Sequence, residues 1–391
     1  MRILWGSPLP PTRSGVSDYA VELLPELGRI AEVRLLTPPG WTRPEDWPLD
    51  ALEMVAADLE PAADEVCLVH LGNNPYHEWL LPRLVGPRVV AVVHDLVLHH
   101  LLVEATVANG RYCDFQERLT SAHGEAAGAL ARARRVGISG RRDPFLFPAT
   151  AAFLDRAAAV VVHSQWAQRQ IALQLPRLPL ARVGLPATDP APVDNDAIRR
   201  GLGLDGDEVV LMHVGFLTPE KGLEEVLGGV AAAARSGVPV RLVLVGEGRL
   251  LSEIGAVVEA LGLAGRVTAT GWVSAGRLRE LPAAADLGVV LRTPSAGETS
   301  AAAVRFLACG TPVAVGGTRQ FLEWPESAAP RLTPGPAAPA ELARLLGGVA
   351  AERRSGAWST RRAAARQAYE QGHRPAMVAQ QLVDFLERVF G

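Results

Sequence analysis

The chain has 391 residues, 48% of them apolar, with 39 basic and 42 acidic side chains and a net charge of −3, which gives length for two cores and argues against a nucleic-acid binder. Three cysteines, Cys67, Cys113 and Cys309, stand far apart without metal-ligand spacing, so neither a disulfide framework nor a structural zinc site organises the fold. No window reaches the roughly 18 apolar residues of a membrane span, and the N-terminal apolar run is too short for a signal peptide, so a cytoplasmic protein is expected.

Short β-rich runs alternate with Ala/Leu-rich stretches of helical period, the pattern of parallel sheets covered by helices on both faces. In the first half, strands are expected at residues 2–5, 32–36, 66–70, 89–94 and 158–163. After the first, P-L-P-P-T-R-S-G-V-S-D forms a proline-stiffened loop with a helix expected from about Ser17. Gly15 would let a ligand approach the backbone, with Ser14 and Asp18 beside it and the amides of the helix start free to bond an oxyanion or a sugar hydroxyl.

Several strands end in polar residues: His70 and Asn73, His94 and Asp95, His163 and Ser164. In open parallel sheets the ligand crevice lies outside the carboxyl ends of the strands, where these side chains would line it. An imidazole bonded to a neighbouring loop is the plain alternative for each. His94 stands out because Asp95, His99 and His100 crowd it in sequence.

Residues 104–150 exceed a simple crossover and are expected to be a helical insertion. Within residues 132–142 it carries Arg132, Arg134, Arg135, Arg141 and Arg142. A solvated helix end is the plainer account of that run; peripheral contact with anionic headgroups at the inner face of a membrane, or contact with an acceptor's phosphate, is the functional one. Residues 186–205, rich in proline and aspartate without apolar periodicity, are expected to link a first domain, 1–185, to a second, 206–372.

The second series of strands is expected at residues 208–215, 240–246, 267–271, 287–291 and 312–315. V-V-L-M-H-V-G-F-L-T-P-E-K-G-L-E-E-V-L runs strand, turn, helix, with Gly215 in the turn and Lys221 expected at the helix start. Lys221 is the sole lysine among the 39 basic residues. A compact ammonium beside a helix N-terminus would complete an anion site, in outline a diphosphate clamp. Gly246 and Gly248 follow the next strand as a weaker glycine turn. Further on, G-E-T-S-A-A-A-V-R-F-L-A-C-G-T-P-V places Glu298, Thr299 and Ser300 before a helix carrying Arg305. The last stretch, 373–391, is expected to be a helix packed back on the first domain through Met377, Val378, Leu382, Phe385 and Val389.

Taken in order, G-F-L-T-P-E-K-G, V-L-V-G-E-G, T-G-W-V, A-A-D-L-G-V-V-L and A-C-G-T-P-V-A-V with Glu323 following resemble the nucleotide-binding domain of family 4 glycosyltransferases, over roughly residues 206–330 and more loosely through Gly15 and His94. The resemblance implies an α/β GT-B fold, two doubly wound Rossmann-like domains facing a deep cleft. It also implies retaining transfer of a sugar from a nucleotide-diphosphate sugar to an acceptor hydroxyl on a glycan, lipid-linked sugar or small molecule, with no metal or other cofactor. By that resemblance Lys221 binds the diphosphate, Gly15 belongs to the N-terminal glycine loop and His94 contacts the donor sugar. Gly215, Gly246, Thr299, Ser300 and Arg305 fall on the donor side, Ser14, Asp18 and Asp95 on the acceptor side, and Glu298 takes the first glutamate's role if the segment is one residue shorter.

Two departures mark a variant. Phe216 occupies the family's usual basic position, and Arg305 that of the second, ribose-binding glutamate. A sugar-nucleotide epimerase or phosphorylase of the same fold, or a non-catalytic sugar-nucleotide-binding subunit, are the alternatives.

Overall fold

The computed structural model describes every residue except 46 and 205, in two compact units. Unit 1 comprises Met1–Pro186, Ala296–Thr299 and Pro375–Gly391; unit 2 comprises Ala187–Ser295 and Ser300–Arg374.

Unit 1 holds a seven-stranded sheet of β1 (Arg2–Gly6), β2 (Glu32–Leu36), β3 (Glu53–Val55), β4 (Glu65–Leu71), β5 (Val89–Val93), β6 (Ala159–Val162) and β7 (Leu180–Arg182). All are parallel, in the order β3-β2-β1-β4-β5-β6-β7. β4 and β5 are buried along their whole length, which their nearly unbroken apolar runs permit because helices cover both faces. The chain turns outward in opposite directions from β1 and β4, so the switch point lies between them.

Unit 2 has the same construction: β8 (Val209–Val214), β9 (Val240–Val245), β10 (Val267–Gly271), β11 (Leu287–Val290), β12 (Val313–Gly316) and β13 (Arg331–Leu332), all parallel, in the order β10-β9-β8-β11-β12-β13. Its switch point lies between β8 and β11. Both units are Rossmann-like α/β layers.

Every strand read from the sequence forms, each end within one residue of its expected place. The three that the sequence hides, β3, β7 and β13, lie at sheet edges with two or three residues each. Such strands pair on one side only and carry no alternation to detect.

Within 104–150 the helices Tyr112–His123 and Glu125–Arg135 pack together, sending Phe115, Leu119, Ala127 and Ala131 into the unit 1 core. The interval expected as linker contains the helix Asn195–Gly201, capped by the Asp194 carboxylate on Ala197 N at 3.0 Å. Aspartate there starts a helix rather than marking a loop. Residue 205, the last of that interval, lies outside the described residues.

The helix Pro375–Phe390 belongs to unit 1 and packs on the helix Gly15–Leu27. Its buried face is Val378, Ala379, Leu382, Val383, Phe385 and Leu386, so Met377 and Val389 stand at the margin rather than in the contact. No helix among the described residues is long and apolar enough to cross a membrane.

Candidate functional site

In unit 1 the candidate residues gather at the carboxyl ends of the strands. Ser14 is the N-cap of Gly15–Leu27, its hydroxyl accepting from Ser17 N at 3.1 Å, so the helix begins two residues earlier than expected and Ser17 lies inside it. A Ser-Gly pair in extended-to-helical transition caps as well as the later serine would. Gly15 is exposed, and a side chain there would meet nothing within 4 Å. Asp18 is half-buried in the first turn, where its charge suits the helix N-terminus.

His94 directly follows β5, its backbone N–H donating to Leu71 O at 2.9 Å. Its sequence neighbours make bonds of their own. His99 is buried and donates from Nδ1 to Phe147 O at 2.8 Å, and burial pushes its pKa down to about 4. His100 is exposed, its backbone N–H held by Asn73 Oδ1 at 2.9 Å. Asp95 accepts from Asn73 N through Oδ2 at 2.9 Å. The rings around His94 are instead Tyr19, His70 and His163, at centroid distances of 4.8, 5.2 and 4.9 Å. Neighbouring parallel strands bring the two imidazoles there and the helix Gly15–Leu27 brings Tyr19, which local sequence does not report.

The short segment Ala296–Thr299 also belongs to unit 1. Ala296 O accepts from Leu96 N at 2.8 Å and from Val97 N at 3.2 Å, which ties Gly297 and Glu298 to the loop after His94. Gly297 has φ +79°, and a Cβ there would lie 2.6 Å from Trp166 Cζ3 and 3.1 Å from Leu96 Cβ. Glycine is therefore demanded twice, by conformation and by space. Glu298 is buried, and Thr299 Oγ1 is buried without a hydrogen-bond partner among the described residues. Gly297→Ala is expected to destabilise unit 1 by about 2–3 kcal/mol through strain and overpacking; an unchanged urea midpoint would show that the segment yields instead.

In unit 2, Gly215 leaves β8 at φ +128°, followed by exposed Phe216. Lys221 closes the single 3₁₀ turn Pro219–Lys221 instead of opening the helix. Gly222, at φ +64°, then turns the chain into the helix Leu223–Arg235, and a Cβ on it would lie 2.9 Å from Leu291 Cβ. Pro219 begins that turn and Gly222 ends it, so the helix starts after the lysine. The Lys221 charge reaches back to the strand: His213 of β8 has its pKa lowered to about 3, by burial first and by Lys221 second.

Gly246 has a structural use of its own. It stands at φ +133° with its Cβ direction filled by the Gly215 carbonyl, and Gly248 sits likewise against Leu217 backbone. Hydrogen bonds of 2.9 Å from Gly215 N to Val245 O and from Leu217 N to Glu247 O knit the two loops together. The glycine turn after β9 thus serves close approach of backbone to backbone.

Two cations that sequence reading passed over stand near Lys221. Burial opposes ionisation of Glu220, yet its pKa is lowered by hydrogen bonds at its own backbone and Thr218 and by the charges of Arg292 and Arg249. Arg249 follows the loop after β9 and Arg292 follows β11, so both charges lie near the turn after β8. Their signal in the sequence was their place just past strand ends.

The loop before Ser300 is held by Arg319, which donates to Ser295 O at 2.8 Å, and by Gln320 Nε2 on Ser295 Oγ at 3.0 Å. Ser300 caps the helix Ala301–Ala308, its hydroxyl accepting from Ala303 N at 3.3 Å. That helix buries Ala303, Val304, Phe306, Leu307 and Ala308, leaving Arg305 half-buried outside this face.

Residues 194–344 match the family described as Glycosyl transferases group 1. Among curated proteins, the chain is 40% identical over 127 residues to D-inositol 3-phosphate glycosyltransferase of Segniliparus rotundus, covering 31% of this chain and 28% of that protein. It is 32% identical over 158 residues to 2-deoxystreptamine glucosyltransferase of Streptomyces kanamyceticus, covering 40% of each. The chain thus spans well under half the length of these relatives. In structure it resembles sucrose-phosphate synthase of Thermosynechococcus elongatus, with TM-score 0.67 at 16% identity over 100% of this chain and 99% of that one. It also resembles Anabaena HepE in complex with UDP-glucose, with TM-score 0.65 at 17% identity over 99% and 100%. The fold is therefore that of the GT-B glycosyltransferases, and residues 194–344 form a glycosyl transferase group 1 domain.

Proposed function

We propose that the protein is a retaining, metal-independent glycosyltransferase of family 4 that moves a sugar from a nucleotide-diphosphate sugar to an acceptor hydroxyl. The observation that carries the reading is the cationic turn after β8 in the group 1 domain, where Lys221 acts on His213 and Arg249 and Arg292 act on Glu220. HepE, whose structure was solved with UDP-glucose, shares the fold and supports a nucleotide sugar as donor.

In this reading Lys221, Arg305 and the amides at Thr299 and Ser300 stabilise charge developing on the departing diphosphate. The acceptor hydroxyl attacks from the face the leaving group vacates, losing its proton to the departing phosphate. His94 and buried Glu298 hold the sugar, and Gly15 borders the phosphate or acceptor beside Ser14, Asp18 and Asp95. Arg292 supplies the second phosphate charge that the family's pattern loses at Phe216. Thr299, whose buried hydroxyl has no hydrogen-bond partner among the described residues, has bonding capacity left for a ligand.

A cytoplasmic site of action with peripheral membrane contact is proposed with it. Val136, Ile138 and Leu146 are exposed in the same stretch of chain as exposed Arg135, Arg141 and Arg142, apolar side chains interspersed in sequence with cations.

Incubating the full chain with a panel of nucleotide sugars and an acceptor extract, with and without vesicles containing anionic lipid, tests the reading. Sugar transfer with the anomeric configuration kept, undiminished by chelator, is expected, together with co-sedimentation on the anionic vesicles. Binding without turnover would instead favour a non-catalytic subunit, and product formed without acceptor an epimerase or phosphorylase.

A further inference from the structure

Three adjacent strand ends of unit 1 place imidazoles in a row: His70 near the end of β4, His94 just past β5 and His163 just past β6. Tyr19 touches all three, with ring centroids 4.8 to 5.4 Å away, and Trp5 lies 4.1 Å from His70. His77 packs behind, its Nδ1 2.8 Å from His70 O, and His163 Nδ1 lies 3.0 Å from Val183 O. A carbonyl oxygen only accepts, so His77 and His163 carry their protons on Nδ1.

The contact that decides the row is His70 Nδ1 to His94 Nε2, 2.9 Å. Two neutral rings at this distance share one proton. His70 is wholly buried, and its Nε2 meets no hydrogen-bond partner among the described residues. Were His94 the donor, the His70 proton would sit on that Nε2, a buried N–H with no acceptor. Were His70 the donor, only a lone pair would be left there. An orphaned buried donor is the rarer arrangement, so His70 donates.

We propose that His70 is a positioning residue: by donating from Nδ1 to His94 Nε2 it fixes His94 as the Nδ1–H tautomer, a neutral hydrogen-bond donor toward the substrate. The step from tautomer to turnover rests on the reading that His94 holds the donor sugar; the tautomer itself does not. Burial, followed by the charges that His163, His70 and His77 would carry, holds the His94 pKa well below its ordinary value and keeps the ring neutral. Tyr19 and Trp5 also face the row, as aromatic rings that add no charge to it.

Long-range proton–nitrogen spectra of the ¹⁵N-labelled full chain near neutral pH read the tautomer directly. His94 is expected to show a protonated Nδ1 and a bare Nε2, and the reverse pattern would overturn the proposal whether or not any nucleotide sugar is turned over. Two variants then test the consequence. The amide of His70→Asn keeps a donor near the Nδ1 position, whereas His70→Phe has none. Turnover within about threefold of wild type is expected for the first and a loss of about tenfold or more for the second, in kcat more than in KM. Equal kcat in the two variants would count against the proposal. If His70→Phe does not fold, the spectrum of His70→Asn decides: His94 must remain Nδ1–H.

Discussion

Replacing Lys221 with alanine is expected to lower kcat/KM for sugar transfer by about 10²–10³-fold, the usual cost of removing one group that stabilises charge in a transition state. The ammonium is half-buried at the end of the turn after β8, in a site whose neighbours Arg249 and Arg292 already bias it toward anions. A diphosphate carries charge before the sugar leaves and more afterwards, so affinity for the free nucleoside diphosphate should fall along with turnover. Lys221→Arg keeps the charge but spreads it over a planar fork, so it should recover part of the activity and not all. Nucleotide release and calorimetric titration with nucleoside diphosphates measure the two effects. An alanine variant with full donor affinity and full turnover would sink the clamp.

Acidification from pH 6.5 to about 4 is expected to unfold unit 1 before unit 2. Burial lowers the pKa of His77 and His99 to about 4 and those of His70 and His94 well below 6.5, all in unit 1. In unit 2 burial lowers His213 to about 3. Below 6.5 the unfolded chain takes up protons that the folded chain refuses, so stability that is full above that value is lost as pH falls toward the folded pKa values. Each histidine contributes about 1.4 kcal/mol per pH unit across its window. Hydrogen exchange at pH 7 and pH 5, resolved by peptide, should therefore show several kcal/mol lost from the strands β4 to β6 and about one histidine's share from β8. Equal losses in both units would mean that the imidazoles are not the cause.

Much of the architecture was legible because parallel sheets buried on both faces need apolar runs. V-C-L-V-H-L, V-V-A-V-V and V-V-L-M-H-V are strands by composition alone. The family resemblance fell on the same segments, and it placed Lys221, Glu298 and Arg305 on the chain. What stayed hidden were edges and helix starts. β3, β7 and β13 are too short to repeat a pattern, and capping is chosen by local geometry among several serines and aspartates, so Ser14 starts its helix where Ser17 was expected.

The sequence by itself determined the order of the longer strands, the two Rossmann-like units and the single lysine after β8, because these follow from periodicity and residue type. Only the tertiary structure decided which side chains meet. His94 stands beside His99 and His100 in the chain but among His70, His163 and Tyr19 in space, since parallel strands set neighbours by register and topology rather than by sequence distance. Residues 296–299 join unit 1 for the same reason: Ala296 accepts hydrogen bonds from Leu96 and Val97, two hundred positions earlier. Gly246 gained a structural use that the sequence did not show, room for the Gly215 carbonyl, because a missing side chain announces close approach without saying what approaches.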